Sequence, residues 1–309
     1  MKMTTLGHVQ ETVAEISKNY FDDIIDTDSL SFTNLAFIKI NGCEHNLKSM
    51  AQRALCDRLN IPIQYLRRCP PDIQAQNLNY WVKKIPQKEL FFRFDGDAIR
   101  SIFSTRYVPI NNSTIIEKLL GNGYTEQSEA QFSIDENFMM LSLTNGASFV
   151  MKKNDRIRSG VSIGNSETGT ASLSMSAFFL RLVCTNGLIM ATTDIERRFK
   201  HVSKKILDNF NDIVGQVSGE LEQQKSRFKL SKNTKVSDPV ATINSFNQQF
   251  QLSKLEQEAV EWALPMETGD SMYNILNVYT KASQFSELSA ASSWNLQKVG
   301  GQILSLLAE

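Results

Sequence analysis

Apolar positions along this 309-residue chain change their period several times, and the changes divide it into elements. In 8–26, Val9, Val13, Ile16, Tyr20 and Ile24 recur at helical spacing, which predicts an amphipathic helix. "SFTNLAFIKI" (31–40) reads as a strand ending at Asn41-Gly42. "NLKSMAQRALCDRLN" (46–60) places Leu47, Met50, Ala54, Leu55 and Leu59 on one helical face. Ile61-Pro62 breaks that helix and opens a short second one, and Pro70-Pro71 starts a third running towards Lys84. "ELFFRF" and "AIRSIF" flank Asp95-Gly96, a type I′ hairpin signal, and 112–120 reads as helix.

From 124 to 191 the period falls to two. "FMMLSL-TNG-ASFVMKK" and "FFLRLVC-TNG-LIMAT" carry the same tripeptide, at Thr144–Gly146 and Thr185–Gly187. Asn-Gly supplies two positive φ values cheaply, so each predicts a hairpin turn. Between them "RIRSGVSI" and "TASLSMSAFF" form a further antiparallel pair around "GNSETG". Thr193 and Glu196 have capping-box spacing, which predicts a long helix through "RRFKHVSKKILDNF", bent near Gly215 or Gly219. "KLSKNTKVSDP" (229–239) lacks an apolar face and reads as a linker, and 240–309 is helical in pattern. The expectation is an α+β fold, an antiparallel multi-stranded meander sheet with flanking helices. Its core domain covers 1–230, with an N-terminal helical segment over 1–87, and a helical C-terminal region (231–309) packs on it.

Composition narrows the class. Hydrophobic residues at 41% and charged residues at 21% give a globular core and exclude disorder. No apolar run approaches the roughly 20 residues of a spanning helix, and the first residues lack the apolar stretch of a secretory signal. Cys43, Cys56, Cys69 and Cys184 show no CxxC spacing, so reduced thiols in the cytoplasm are expected. The net charge of zero conceals two basic segments. Residues 47–109 hold 11 basic against 5 acidic residues, and 151–230 hold 13 against 8. They supply either a basic face for a polyanion or solvated surface paired internally.

Candidate chemistry is sparse. Gly164 to Thr170 has the glycine spacing of a P-loop but lacks its lysine, and a strand follows where a helix should begin; a tight structural turn is expected. Ser172, Ser174 and Ser176 share one strand face, either solvated or a hydroxyl surface for phosphates and sugars. Cys43, His45, Cys56 and Cys69 match no zinc spacing, and no GxSxG, HExxH or Walker element occurs, so no metal and no cofactor is expected. "ERRFKHVSKK" (196–205) is the densest basic cluster, either a solvated helix face or a phosphate contact. Arg181 lies inside an apolar run, where it is expected to pair with a carboxylate, Glu167 first, or to line a cleft.

Three segments together resemble the phage/plasmid-like proteins called domain of unknown function 932. They are "RSIFSTRYVPINNSTI", the turn and hairpin carrying Asn165, Ser166, Glu167, Gly169, Arg181, Cys184, Thr185, Asn186 and Gly187, and "NILNVYTKAS". The resemblance spans about 90–290 and brings no catalytic residue set. It implies a role in mobile-element biology, with DNA or RNA as the expected partner. The expected architecture, a strand meander followed by a long basic helix, is also similar to single-strand annealing proteins, an analogy of fold alone that makes single-stranded DNA the first expectation and a homo-oligomer the expected form. Arg100, Arg106, Arg181, Arg197, Arg198, Lys200, Lys204 and Lys205 are the expected phosphate contacts, and Tyr107 a base-stacking ring. A host-protein partner, and an enzyme using Glu167 as acid/base beside Asn165 and Asn186, are the alternatives; no membrane role is expected.

Overall fold

The computed structural model describes residues 3–152, 155–181, 188–191, 197–199, 212 and 221–307. The chain opens with β1 (Met3–Thr5) and α1 (Leu6–Ile16), capped by the Thr5 side chain. It then builds an N-terminal sheet from β2 (Tyr20–Asp26), β3 (Leu30–Phe32), β4 (Phe37–Ile40), β5 (Cys43–Leu47), β6 (Glu89–Asp95) and β7 (Ala98–Ser104). Their order is β2-β6-β7-β5-β4-β3, antiparallel except for β5 beside β7. Asn41 and Gly42, expected to end a strand, both take positive φ (50° and 87°) and turn the chain into a hairpin with β5. In the β6–β7 hairpin only Gly96 does so (54°), so that turn departs from type I′. The helices α3 (Ile63–Leu66) and α4 (Pro71–Val82) fall where the prolines set them, whereas α2 (Ser49–Arg58) is shorter than the 46–60 expected, Asn46 and Leu47 ending β5 instead. They cover the sheet by packing Leu55, Leu66, Leu78 and Val82 against Phe92, Ile99 and Ile102.

The predicted helix over 8–26 is corrected: it stops at Ile16, and Tyr20–Asp26 is a strand paired along its length with β6. Tyr20 and Ile24 fit either period, and a full ladder of backbone bonds outweighs the helical preference of so short a segment. The 1–87 stretch, expected to be helical, therefore contributes five strands as well as helices.

The central sheet runs β1-β8-β9-β10-β11-β12, with β8 Glu129–Ile134, β9 Met139–Lys152, β10 Asp155–Asn165, β11 Leu173–Arg181 and β12 Leu188–Ala191. Thr144–Gly146, predicted as a turn, lies inside β9 instead. Residues 145–147 oppose residue 159 alone, so the extra length is absorbed as a bulge while the ladder to β10 continues. The second tripeptide, Thr185 to Gly187, lies outside the described residues. The start of the long helix expected from Thr193 is also corrected, because Arg197–Phe199 forms β13, paired with Leu173–Met175 of β11, while 200–211 and 213–220, with the bend expected near Gly215 or Gly219, lie outside the described residues. That side of β11 would otherwise leave backbone groups unpaired beyond its ladder with β12 at Phe178–Arg181. Filling the ladder satisfies more donors and acceptors than a helix cap does.

The serine face is buried, not solvated. Ser142, Ser162 and Ser176 stand in register across β9, β10 and β11, each almost inaccessible, and the Ser142 and Ser162 hydroxyls bond each other. The same face carries Met140 and Gly164, against which Trp294 of α10 (Ala290–Leu306) packs. A Cβ on Gly164 would stand 2.7 Å from the Phe138 ring, so that close approach requires glycine.

The expected linker at 229–239 is instead half helix: α6 covers Leu221–Asn233, and Lys235 bridges to Ser271. Four further helices follow: α7 (Pro239–Gln249), α8 (Lys254–Ala263), α9 (Met272–Ala282) and α10. Side chains of Asp238, Ser253, Ser271 and Ser289 cap them, Ser253 with Glu256 in a full capping box. Leu276, Tyr279 and Leu296 share one core with Leu6, Val9, Leu141 and Ile163, so these helices and the central sheet bury each other. Among the described residues no helix is long and apolar enough to cross a membrane.

The thiols differ in a testable way. Burial in the α2 layer pushes the Cys56 thiol up to about 11, whereas Cys43 is exposed at the start of β5. At pH 8 iodoacetamide is expected to alkylate Cys43 in the native protein and Cys56 only after unfolding, read by peptide mass spectrometry. Native labelling of Cys56 at the same rate would contradict its place in the core.

Candidate functional site

Two arginines on the N-terminal sheet meet one turn from the central sheet. Arg93 of β6 pairs in register with Ser101 of β7, and the next pair is Phe94 with Ile99, leaving Arg100 as the extra residue of a β-bulge. Bulges re-aim side chains. Here Arg93, Arg100 and Ser101 all reach the turn Asn165–Gly169 that leaves β10. The turn is almost wholly buried through Thr168, and Gly169 closes it with a φ of 88°.

Glu167 is its centre, 5% exposed. Arg100 Nη2 donates to its Oε2 at 3.0 Å, and the Asn112 backbone N–H at the start of α5 (Asn112–Leu120) donates to Oε1 at 2.7 Å. A carboxylate at a helix N-terminus satisfies an orphan donor and meets the positive end of the dipole. The main chain of the turn is held too: Arg93 Nη1 donates to the Glu167 carbonyl at 3.2 Å and Ser101 Oγ to the Thr168 carbonyl at 2.8 Å. Asn165 Nδ2 donates to Asn112 Oδ1 (2.7 Å) and to the Ile110 carbonyl (3.0 Å). The tight turn expected from Gly164 to Thr170 is present, and Glu167, expected to pair with an arginine, pairs with Arg100.

The charges are compensated locally. Arg93 grips Asp22 of β2 through Nε (2.9 Å) and Nη2 (3.2 Å), and Nη2 also donates to Asn111. Arg100, 3% exposed, lies 3.5 Å from the Tyr20 ring centroid, a cation–π contact. Burial works against the Arg93 charge, but Tyr107, Asp22 and Glu167 hold its pKa above the ordinary arginine value. Burial pushes the Tyr107 phenol up to about 12, with Arg93 opposing. Beside these pairs a polar cleft of about 190 Å³ is lined by Ser17, Tyr20, Asp22, Arg93, Asn111 and Ser113.

Several expected contacts stand elsewhere than predicted. Arg100 is enclosed as the partner of Glu167, because its bulge turns it between the sheets, and it offers no surface to a phosphate. Arg106 is exposed in the turn after β7. Tyr107 is half-buried and stacked on Phe103 at 3.8 Å, so one ring face is already covered. Arg181 ends β11 opposite Ile157 and Leu188, and its side chain lies outside the described residues, as do those of Arg197 and Arg198 on β13. Lys200, Lys204, Lys205, Thr185, Asn186 and Gly187 lie wholly outside them. Among the described residues no three His, Cys, Asp or Glu side chains gather as metal ligands.

Sequence reasoning passed over Arg93, although "FFRF" sets an arginine in an apolar run just as the Arg181 segment does. It also passed over the outer surface of α3 and α4. Tyr80 and Trp81 are 59% and 44% exposed there, packed edge to face, with Lys84 Nζ 5.7 Å from the Tyr80 centroid. Lys83 follows on the same helix end, Tyr65 is exposed on α3, and Arg67 and Arg68 are exposed between α3 and α4. None of Arg67, Arg68, Lys83 and Lys84 enters an ion pair among the described residues. The signal was the basic excess over 47–109.

Compared with known proteins, residues 100–293 match the family described as Domain of unknown function (DUF932), a span that begins within β7 at Arg100 and takes in the motif turn and α9. No curated protein and no solved structure matches the chain.

Proposed function

The chain belongs to the DUF932 family, and from that premise we propose that it binds nucleic acid, single strands by preference, on the helical layer of its N-terminal sheet. The observation that carries the reading is the exposed Tyr80–Trp81 pair beside Lys83 and Lys84 at the C-terminal end of α4, with Arg67 and Arg68 exposed ahead of its N-terminal end. Rings stack on bases without reading sequence, and the flanking cations neutralise phosphates. The likeness to phage and plasmid proteins supports a cytoplasmic role in recombination or replication, annealing or protecting strands as a homo-oligomer.

A protein partner is the second reading, favoured by Phe21 and Ile24, both exposed on the edge strand β2. The acid/base reading of Glu167 draws less support, since both carboxylate oxygens are occupied by structural donors.

The test is a titration of oligo-dT and of duplex DNA at 50 and 200 mM salt, read by Trp81 fluorescence and by anisotropy. Trp81→Ala is expected to weaken single-strand binding by about 5- to 150-fold, the worth of one stacked base. Lys83→Gln with Lys84→Gln is expected to flatten the log–log salt slope by about 1.4. No binding by the wild type at 50 mM salt would overturn the proposal and leave the protein-partner reading in its place.

A further inference from the structure

An open groove of about 550 Å³ runs between α2 and the motif turn. Met50, Arg53, Ala54, Asp57 and Arg58 form its α2 wall, recurring at helical spacing along one stripe. Ile102 and Phe103 of β7 supply an apolar side, and Thr168 to Thr170 close the far end. The threonine hydroxyls are already engaged, with Asn137 and Ser166, so the arginines are the donors on offer.

Arg58, half-buried, differs from the buried Arg93 and Arg100. Arg93 and Arg100 each hold a carboxylate, whereas the Arg58 Nε–H is buried with no acceptor. Neither Arg58 nor the exposed Arg53 forms an ion pair among the described residues, although Asp57 stands on the same stripe. Burial alone pushes the Arg58 pKa down, with no acid opposing it. A guanidinium partly withdrawn from water, with its Nε–H unpaired and no counter-charge, is a ready partner for an anion entering the groove. Guanidinium forks match the oxygens of a phosphate, and an apolar wall beside them suits the flat face of a base.

We propose that this groove is a nucleotide subsite, one phosphate held between Arg53 and Arg58 with its base against Ile102 and Phe103. It rests on the nucleic-acid reading for the source of the phosphate, which a polynucleotide or a free nucleotide could equally supply.

The test uses the full chain with two probes, oligo-dT and deoxythymidine monophosphate. Arg58→Gln is expected to weaken oligo-dT about 10-fold or more and to flatten the salt slope by about 0.7, one phosphate's share. Arg58→Lys should keep the slope while losing affinity, because the charge stays and the fork goes. Arg53→Gln sits on an exposed helix position, so its weaker binding cannot be ascribed to misfolding should Arg58→Gln prove unstable. Oligo-dT bound equally by the wild type, Arg53→Gln and Arg58→Gln would overturn the subsite and leave the nucleic-acid reading standing. Binding of the monophosphate alone, lost in either variant, would support the subsite as a free-nucleotide site and overturn the polynucleotide reading. Binding of neither probe would overturn both.

Discussion

Glu167→Ala is expected to lower the unfolding free energy by about 3–5 kcal/mol, read as a lower urea midpoint with an unchanged slope. The carboxylate neutralises Arg100, which is 3% exposed and whose Nε and Nη1 have no other partner among the described residues. Removing it leaves a buried guanidinium facing only the Tyr20 ring, and it leaves the Asn112 N–H without an acceptor. Glu167→Gln should cost less, about 1–3 kcal/mol, because the amide oxygen can still accept from Asn112 while the charge is lost. The order of the two losses tests the role directly. If both variants kept wild-type stability, the Arg100–Glu167 pair would not be the strut joining the sheets, and a chemical role for Glu167 would regain ground.

Local signals carried most of the elements and few of their long-range partners. The proline-opened α3 and α4 and the Asn41-Gly42 hairpin are fixed by backbone preferences a few residues long, so they are legible. Thr144–Gly146 has the same turn preference, but its outcome was decided by how far β10 continues alongside β9, which no short window contains. Arg197–Phe199 is the parallel case, since the vacancy on β11 is a tertiary fact. In the site, the Asn165–Gly169 connection and the accepting role of Glu167 were readable. Its partner was not. Arg100 lies in an apolar run, and only its bulge and the approach of the two sheets bring it to Glu167. The basic excess over 47–109 was visible in the sequence, but its exposure beside Tyr80 and Trp81 depends on which faces of α3 and α4 pack inward.

Tyr279→Phe is expected to be destabilising at neutral pH and progressively less so in alkali, with the order of the two proteins reversing above about pH 11. Tyr279 is fully buried in the core shared by α7 and α9, where its hydroxyl bonds the Ile243 carbonyl (3.0 Å) and Asn247 Oδ1 (2.8 Å). At pH 7 the phenylalanine variant loses the single hydrogen bond that the hydroxyl shares between these two acceptors, a cost of about 1–2 kcal/mol. Burial raises the Tyr279 pKa well above its ordinary 10.0, because a phenolate cannot be solvated there. The sign then follows. Below pH 10 both states hold the proton and stability is independent of this group; above it the unfolded state releases the proton first. Each further pH unit therefore removes about 1.4 kcal/mol from the wild type until the folded pKa is reached. Tyr20, Tyr107 and Tyr124, raised first of all by burial, steepen alkaline unfolding in both proteins and cancel in the comparison. Phenylalanine has no proton to lose, so the deficit of the variant should shrink between pH 10 and 11 and then change sign. Urea midpoints for the pair at pH 7, 10, 11 and 11.5 read this out. A deficit constant across that range would mean that Tyr279 ionises as freely in the folded protein as in the unfolded chain, and that its hydroxyl is not sealed between α7 and α9.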